Sequence, residues 1–131
     1  MTIVVGYVPT PEGEAALEAA IAESRRRGEP LHVVNSARGD VLSDPRYASE
    51  RVLDRVRARL DAAGVEHRIE QEVGAQEASS EVIDAADRVG ASLIVIGMRR
   101  RSPTGKLLTG SQAQRILLDA RCPVLAVKAP A

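Results

Sequence analysis

Short apolar runs alternate along this chain with longer stretches in which apolar residues recur every three or four positions. Ile3 to Tyr7, Leu31 to Asn35 and Leu93 to Gly97 have the length and near-continuous apolar character of strands buried on both faces. His67 to Val73 alternates instead, as a strand near a sheet edge does, and Pro123 to Lys128 supplies a fifth run. The intervening stretches read as helices. Pro11 to Arg27 is ended by Gly28. Tyr47 to Ala63 carries Val52, Leu53, Val56 and Leu60 at core spacing and stops at Gly64. Gln76 to Val89 uses Val82, Ile83, Ala86 and Val89 and stops at Gly90, and a last helix runs from Gly110 to about Ala120. Ser36 to Pro45 reads as a polar loop. Five strands and four helices in strict alternation predict an α/β fold, a parallel sheet with helices on both faces. Right-handed crossovers then permit a doubly wound arrangement. No repeat, low-complexity run or linker divides residues 1–131, so one domain is expected.

Composition narrows the function classes. Hydrophobic residues make up 44% of the chain but aromatic residues only 2%, so the core must be built from Ala, Val, Leu and Ile. Lys plus Arg and Asp plus Glu are both 18, which leaves no global field favouring nucleic acid or anionic lipid. The aromatic platforms used for single-stranded nucleic acid are missing as well. A lone Cys122 gives no disulfide framework, and with two histidines no zinc site takes shape. Cys122 itself reads as a small buried residue at a strand start. His32 and His67 fall in strands with no nucleophile or carboxylate at a recognisable spacing, and both read as structural. No apolar run approaches ~18 residues, and a cytoplasmic location is expected.

The candidate chemistry lies in the last third. Leu93 to Gly97 is followed by an arginine-bearing loop and then by Gly110-Ser111 at a helix start. Backbone N–H groups at such a start have no internal partner, and the helix dipole adds positive potential. Gly97 and Gly110 allow close backbone approach, and the Ser111 hydroxyl can donate to an anion. Gly105-Lys106 invites comparison with a Walker A loop, which fails because Arg100 and Leu107 stand where that motif needs Gly and Ser or Thr. Arg38-Gly39-Asp40 is a chance tripeptide of common residues.

Gly97, Gly110 and Ser111 fit two of the three fixed points of G-x2-G-x9-G-[ST], the nucleotide loop of the universal stress protein family, with Arg100 at the middle point. The segment from Gly97 to Lys128 resembles that family's carboxy-terminal block almost throughout. Ile3-Val4-Val5-Gly6 with Pro11 to Leu17, and Leu31 to Val34, resemble its first strand and helix and its second strand. The resemblance implies the sheet order 3-2-1-4-5. It places Val8, Pro9 and Thr10 beside Gly97, Met98 and Arg99 at the switch between strands one and four, where such sheets bind ligands. It further implies that Gly97, Gly110, Ser111 and the Gln112 backbone N–H contact phosphate, with Val33 as an apolar wall beside adenine. Nucleotide-binding members commonly carry Asp where this chain has Val8. Losing one such hydrogen bond costs about 0.5–1.5 kcal/mol, enough to weaken binding several-fold without abolishing it.

Two functions follow from the resemblance. In the first, the protein is a homodimer, paired through Pro123 to Lys128, that binds an adenine nucleotide, with ATP and a bridging Mg²⁺ expected. It would report nucleotide status to a protein partner through the Met98 to Thr109 loop. In the second, Arg100 fills the crevice and the chain is an interaction module that binds no nucleotide. Arg99, Arg100 and Arg101 fit either a phosphate site or a solvated loop tip. No general base or positioned nucleophile is visible, so at most slow hydrolysis is expected. A nucleotidyl-transferring enzyme of related fold lacks the HxGH-type pair it would need.

Overall fold

The structure, a computed structural model, describes residues 1–37, 47–74, 76–99 and 110–130. Nine elements alternate: β1 (Thr2–Gly6), α1 (Pro11–Arg27), β2 (Leu31–Ala37), α2 (Glu50–Ala62), β3 (His67–Val73), α3 (Ala78–Val89), β4 (Ala91–Met98), α4 (Ser111–Asp119) and β5 (Val124–Lys128). The strands form one sheet of order β3-β2-β1-β4-β5. Every neighbouring pair is parallel. The doubly wound α/β architecture expected from the sequence is therefore the observed one. Among the described residues, no helix is long and apolar enough to cross a membrane.

Side-chain alternation along the strands makes two cores. Ile3, Val5, Leu31, Val33, Leu93 and Val95 face one way and meet Leu17 of α1 with Leu53, Val56 and Leu60 of α2. Val4, Val34, Ile94 and Ile96 face the other way and meet Val82 and Ala86 of α3 with Ile116 of α4. Each fully buried aliphatic side chain contributes about 1.5–3 kcal/mol, so the central strands, buried on both faces, carry most of the hydrophobic stabilisation.

Local signals set the element ends. Thr10 caps α1 by accepting the Gly13 N–H at 3.1 Å, Pro11 follows at its first turn, and Gly28 closes it at φ 67. Most boundaries shift by one to three residues from the sequence reading, and some of these shifts have a visible cause. The second helix begins at Glu50 rather than Tyr47, because Ala48 is held by side chains of the sheet. Its N–H donates to Asn35 Oδ1 at 3.1 Å, and its carbonyl accepts from Gln71 Nε2 at 2.6 Å. Ser49 then caps α2, taking the Val52 N–H at 3.3 Å. The third helix begins at Ala78 rather than Gln76, since Glu77 is extended. Ser36 and Ala37, read as the start of a loop, continue β2 and pair with Glu72 and Val73 of β3. The remainder of that loop, 38–45, includes Arg38-Gly39-Asp40 and lies outside the described residues.

The histidines acquire partners the sequence did not reveal. His32, buried in β2, has Nε2 3.0 Å from Glu70 Oε1, and Glu70 Oε2 accepts from Arg88 at 2.8 Å. His67 Nδ1 lies 2.9 Å from the Val65 carbonyl, and its Nε2 is 3.9 Å from Asp61. A carboxylate stands near each histidine, where the sequence reading saw none. Cys122 is half-buried rather than buried, and desolvation together with the nearby Asp87 carboxylate pushes its thiol up.

Candidate functional site

A crevice of about 460 Å³ opens at the carboxyl ends of β1 and β4, where the winding of the sheet reverses. Its floor is sheet and α3: Gly6, Val34, Ser36, Ile96 and Val82. One wall is the turn from β1 into α1, with Val8, Thr10 and Glu12. The opposite wall is the start of α4, with Gly110, Ser111, Gln112 and Ala113.

The turn after β1 is fastened by hydrogen bonds. The Tyr7 hydroxyl donates to Glu14 Oε1, and Glu14 Oε2 accepts from Arg59 at 2.7 Å. Burial first, and then the hydrogen bond to the Glu14 carboxylate, push the Tyr7 hydroxyl well above its usual pKa, so it remains a donor. Asn35 Nδ2 donates to the Tyr7 carbonyl at 2.9 Å, and the Val8 carbonyl accepts the Thr10 N–H at 2.8 Å. Val8 therefore presents backbone and apolar surface to the crevice from a fixed position.

The two loop glycines have different physical causes. A Cβ on Gly97 would lie 2.1 Å from the Glu12 carbonyl oxygen, so glycine here lets the end of β4 pack against the first turn of α1. Gly110 meets nothing within 4 Å, but its φ of 76 and ψ of 139 belong to glycine alone. That conformation turns the chain into α4 without a side-chain cap. The Gly110 carbonyl accepts the Gln114 N–H at 3.2 Å, the first bond of the helix. The N–H groups of Ser111, Gln112 and Ala113 thus precede the first helical bond and have no partner among the described residues. Of the four helices, α4 is the one with neither a side-chain cap nor an acidic residue in its first turn. Its positive end is left uncompensated toward the crevice.

The Gln112 side chain points elsewhere: Oε1 accepts the Ser79 N–H of α3 at 2.9 Å. Arg115 of α4 pairs with Glu77 just before α3 at 2.6 Å, so two helix starts are tied together beside the crevice. Arg99 is exposed at the rim, with Nε 3.9 Å from Glu12 Oε1.

Of the residues singled out in the sequence, Val8, Thr10, Gly97, Arg99, Gly110, Ser111 and Gln112 line this one crevice. Pro9 and Met98 adjoin it without lining it, and Met98 packs against the α3 and α4 core. Val33 is displaced from its expected role: it is fully buried under α1 and α2, and its neighbour Val34 reaches the crevice. A strand alternates sides at each residue, so adjacent valines serve opposite faces. Arg100, with Arg101 and Lys106, lies outside the described residues. Sequence reasoning overlooked Glu12, Ser36 and Val82. The first turn of a helix leaving the switch point was the available signal for Glu12; Val82 was read only as core.

A doubly wound parallel sheet with an open crevice at its switch point is the arrangement of the Rossmann-like α/β class. The universal stress protein family model matches residues 1–128, and the chain belongs to that family. It is 48% identical over 126 residues to a universal stress protein of Mycolicibacterium smegmatis, covering 96% of each. It is similar in structure to a universal stress protein from Archaeoglobus fulgidus, with a TM-score of 0.82, 35% identity and 98% of both chains covered. A universal stress protein from the same organism, solved in complex with dAMP, aligns with a TM-score of 0.73, 28% identity and 98% of both chains covered.

Proposed function

We propose that this universal stress protein is a regulatory protein that binds an adenine nucleotide, ATP foremost, with its phosphates at the start of α4. The observation that carries this reading is the uncapped α4 terminus facing a 460 Å³ crevice. Three backbone N–H groups without a partner among the described residues, and the Ser111 hydroxyl, form a donor set suited to phosphate oxygens. The similarity to a relative solved with dAMP supports the same ligand class. Gly6, Val34, Val82 and Ile96 offer apolar surface for a base, and the loss of a carboxylate at Val8 makes binding weaker than in members that carry Asp there. Glu12 is the one carboxylate lining the described part of the crevice, so a Mg²⁺ ion would be held chiefly by phosphate oxygens and water. No described residue of the crevice pairs a nucleophile with a base, and the protein is not an enzyme beyond slow hydrolysis. It works as a homodimer through β5, signalling to a protein partner in the cytoplasm.

Calorimetric titration of nucleotide-free protein with ATP and Mg²⁺ tests the reading. Saturable binding of one nucleotide per chain, lost in Ser111→Tyr, is the expected result. Absence of heat at millimolar ATP overturns it in favour of an interaction module with no nucleotide, the reading that Val8 and Arg100 favour.

A further inference from the structure

The crevice has a second polar pole, and among the described residues only the Arg99 guanidinium approaches it. Glu12 sits in the first turn of α1, and its backbone presses against Gly97, which sets its side chain on the wall between the ends of β1 and β4. That side chain is only 20% exposed. Among the described residues no N–H or O–H lies within hydrogen-bonding distance of its carboxylate, and the Arg99 Nε at 3.9 Å is beyond that range. A carboxylate is an acceptor with room for several donors, and this one keeps that room on the crevice wall. The opposite wall, at α4, presents the backbone N–H groups of the helix start and the Ser111 hydroxyl. The crevice therefore suits a ligand with an anionic group at one end and hydroxyl donors a short distance away.

In a nucleoside phosphate those hydroxyls are the ribose diol. We propose that Glu12 accepts hydrogen bonds from the ribose hydroxyls of the bound nucleotide and makes the site select ribonucleotides over deoxyribonucleotides. The proposal rests on the nucleotide reading above. It also gives Val8 a rationale: the carboxylate missing after β1 is supplied one turn later, from α1. Acidic recognition of a ribose diol recurs in doubly wound sheets, where the same donor geometry is read from another strand.

The test is calorimetry with ATP, 2′-deoxy-ATP and 3′-deoxy-ATP on the unsubstituted protein, on Glu12→Gln and on Glu12→Ala, with thermal melts to establish that each variant is folded. A hydrogen bond to a charged acceptor predicts that the parent binds ATP about ten-fold or more tighter than at least one deoxy analogue. That ratio shrinks in Glu12→Gln and vanishes in Glu12→Ala. Equal affinity of the parent for all three nucleotides overturns the proposal and leaves the nucleotide reading standing, and this comparison needs no variant. A preference that persists in Glu12→Ala overturns it too, as does an Mg²⁺-dependent loss that is equal for all three nucleotides, which would make Glu12 a metal ligand. Binding of none of them overturns both readings together.

Discussion

Gly97 and Gly110 flank the same loop, and substitution separates their roles. Alanine at 97 would force its Cβ into the Glu12 carbonyl at 2.1 Å, and backbone cannot move aside as a flexible side chain could. Gly97→Ala is expected to destabilise the fold by about 2–4 kcal/mol, read as a lower midpoint in urea. Alanine at 110 meets no neighbour but must hold a positive φ of 76, at a cost of about 1–3 kcal/mol if the geometry is kept. Its larger effect falls on the aim of the α4 N–H groups, so Gly110→Ala should weaken nucleotide binding more than it lowers stability. Glu70 carries a pH dependence. Burial alone would raise its carboxyl, but the hydrogen bonds from Arg88 and His32 outweigh it and hold the group below the usual carboxylate value. Its stabilising contribution is complete above the ordinary carboxylate pKa, ~4.3, and fades as pH falls through the depressed value. Thermal melts between pH 6 and 3 should therefore show a shallower acid loss in Glu70→Gln than in the parent.

At the scale of elements, one polar link between α3 and α4 is the Gln112 side chain. Gln112→Ala leaves the Ser79 N–H without its acceptor and is expected to cost about 1–2 kcal/mol in urea denaturation. The number, type and order of elements could be read in advance because each signal was local: apolar runs for strands, glycine at φ 67 and 64 for the ends of α1 and α3. The start of α2 could not. Tyr47 fits the helical pattern, but Asn35 and Gln71, far away in sequence, claim the backbone of Ala48 and hold it outside the helix. The site was half legible for the same reason. Gly110 and Ser111 announce a helix start by themselves. Whether Val33 or Val34 faces a ligand depends on which side of the sheet a helix covers, and the valines are chemically identical. Glu12 was overlooked because a first-turn glutamate is ordinary helix chemistry; only the approach of β4 makes it a wall of the crevice.

For the whole molecule, β5 lies at the edge of the sheet, and the proposed homodimer would pair along it. The Ile94 N–H donates to the Pro123 carbonyl at 3.0 Å, and the parallel ladder that follows turns the N–H of Ala126 away from β4. A dimer joined along that edge would use the Ala126 N–H, and proline is tolerated at an outward-facing edge position. Sedimentation should thus report a dimer for the parent and a monomer with retained helix content for Ala126→Pro; an unchanged dimer would place the interface elsewhere. The strand order has a further effect, in time rather than space. β1 lies at the centre of the sheet, and its Thr2 and Ile3 pair with Ala91 and Leu93, so the first strand made waits for the fourth. Synthesis proceeds from the amino terminus, and pairings across such separations form slowly. Both walls of the crevice then exist only once α4 has left the ribosome. A nucleotide present at a hundred times its dissociation constant would add about 2.7 kcal/mol to the finished domain and nothing to a nascent one. Occupancy by the proposed nucleotide would thereby mark chains with both walls in place, separating them from shorter fragments by resistance to proteolysis.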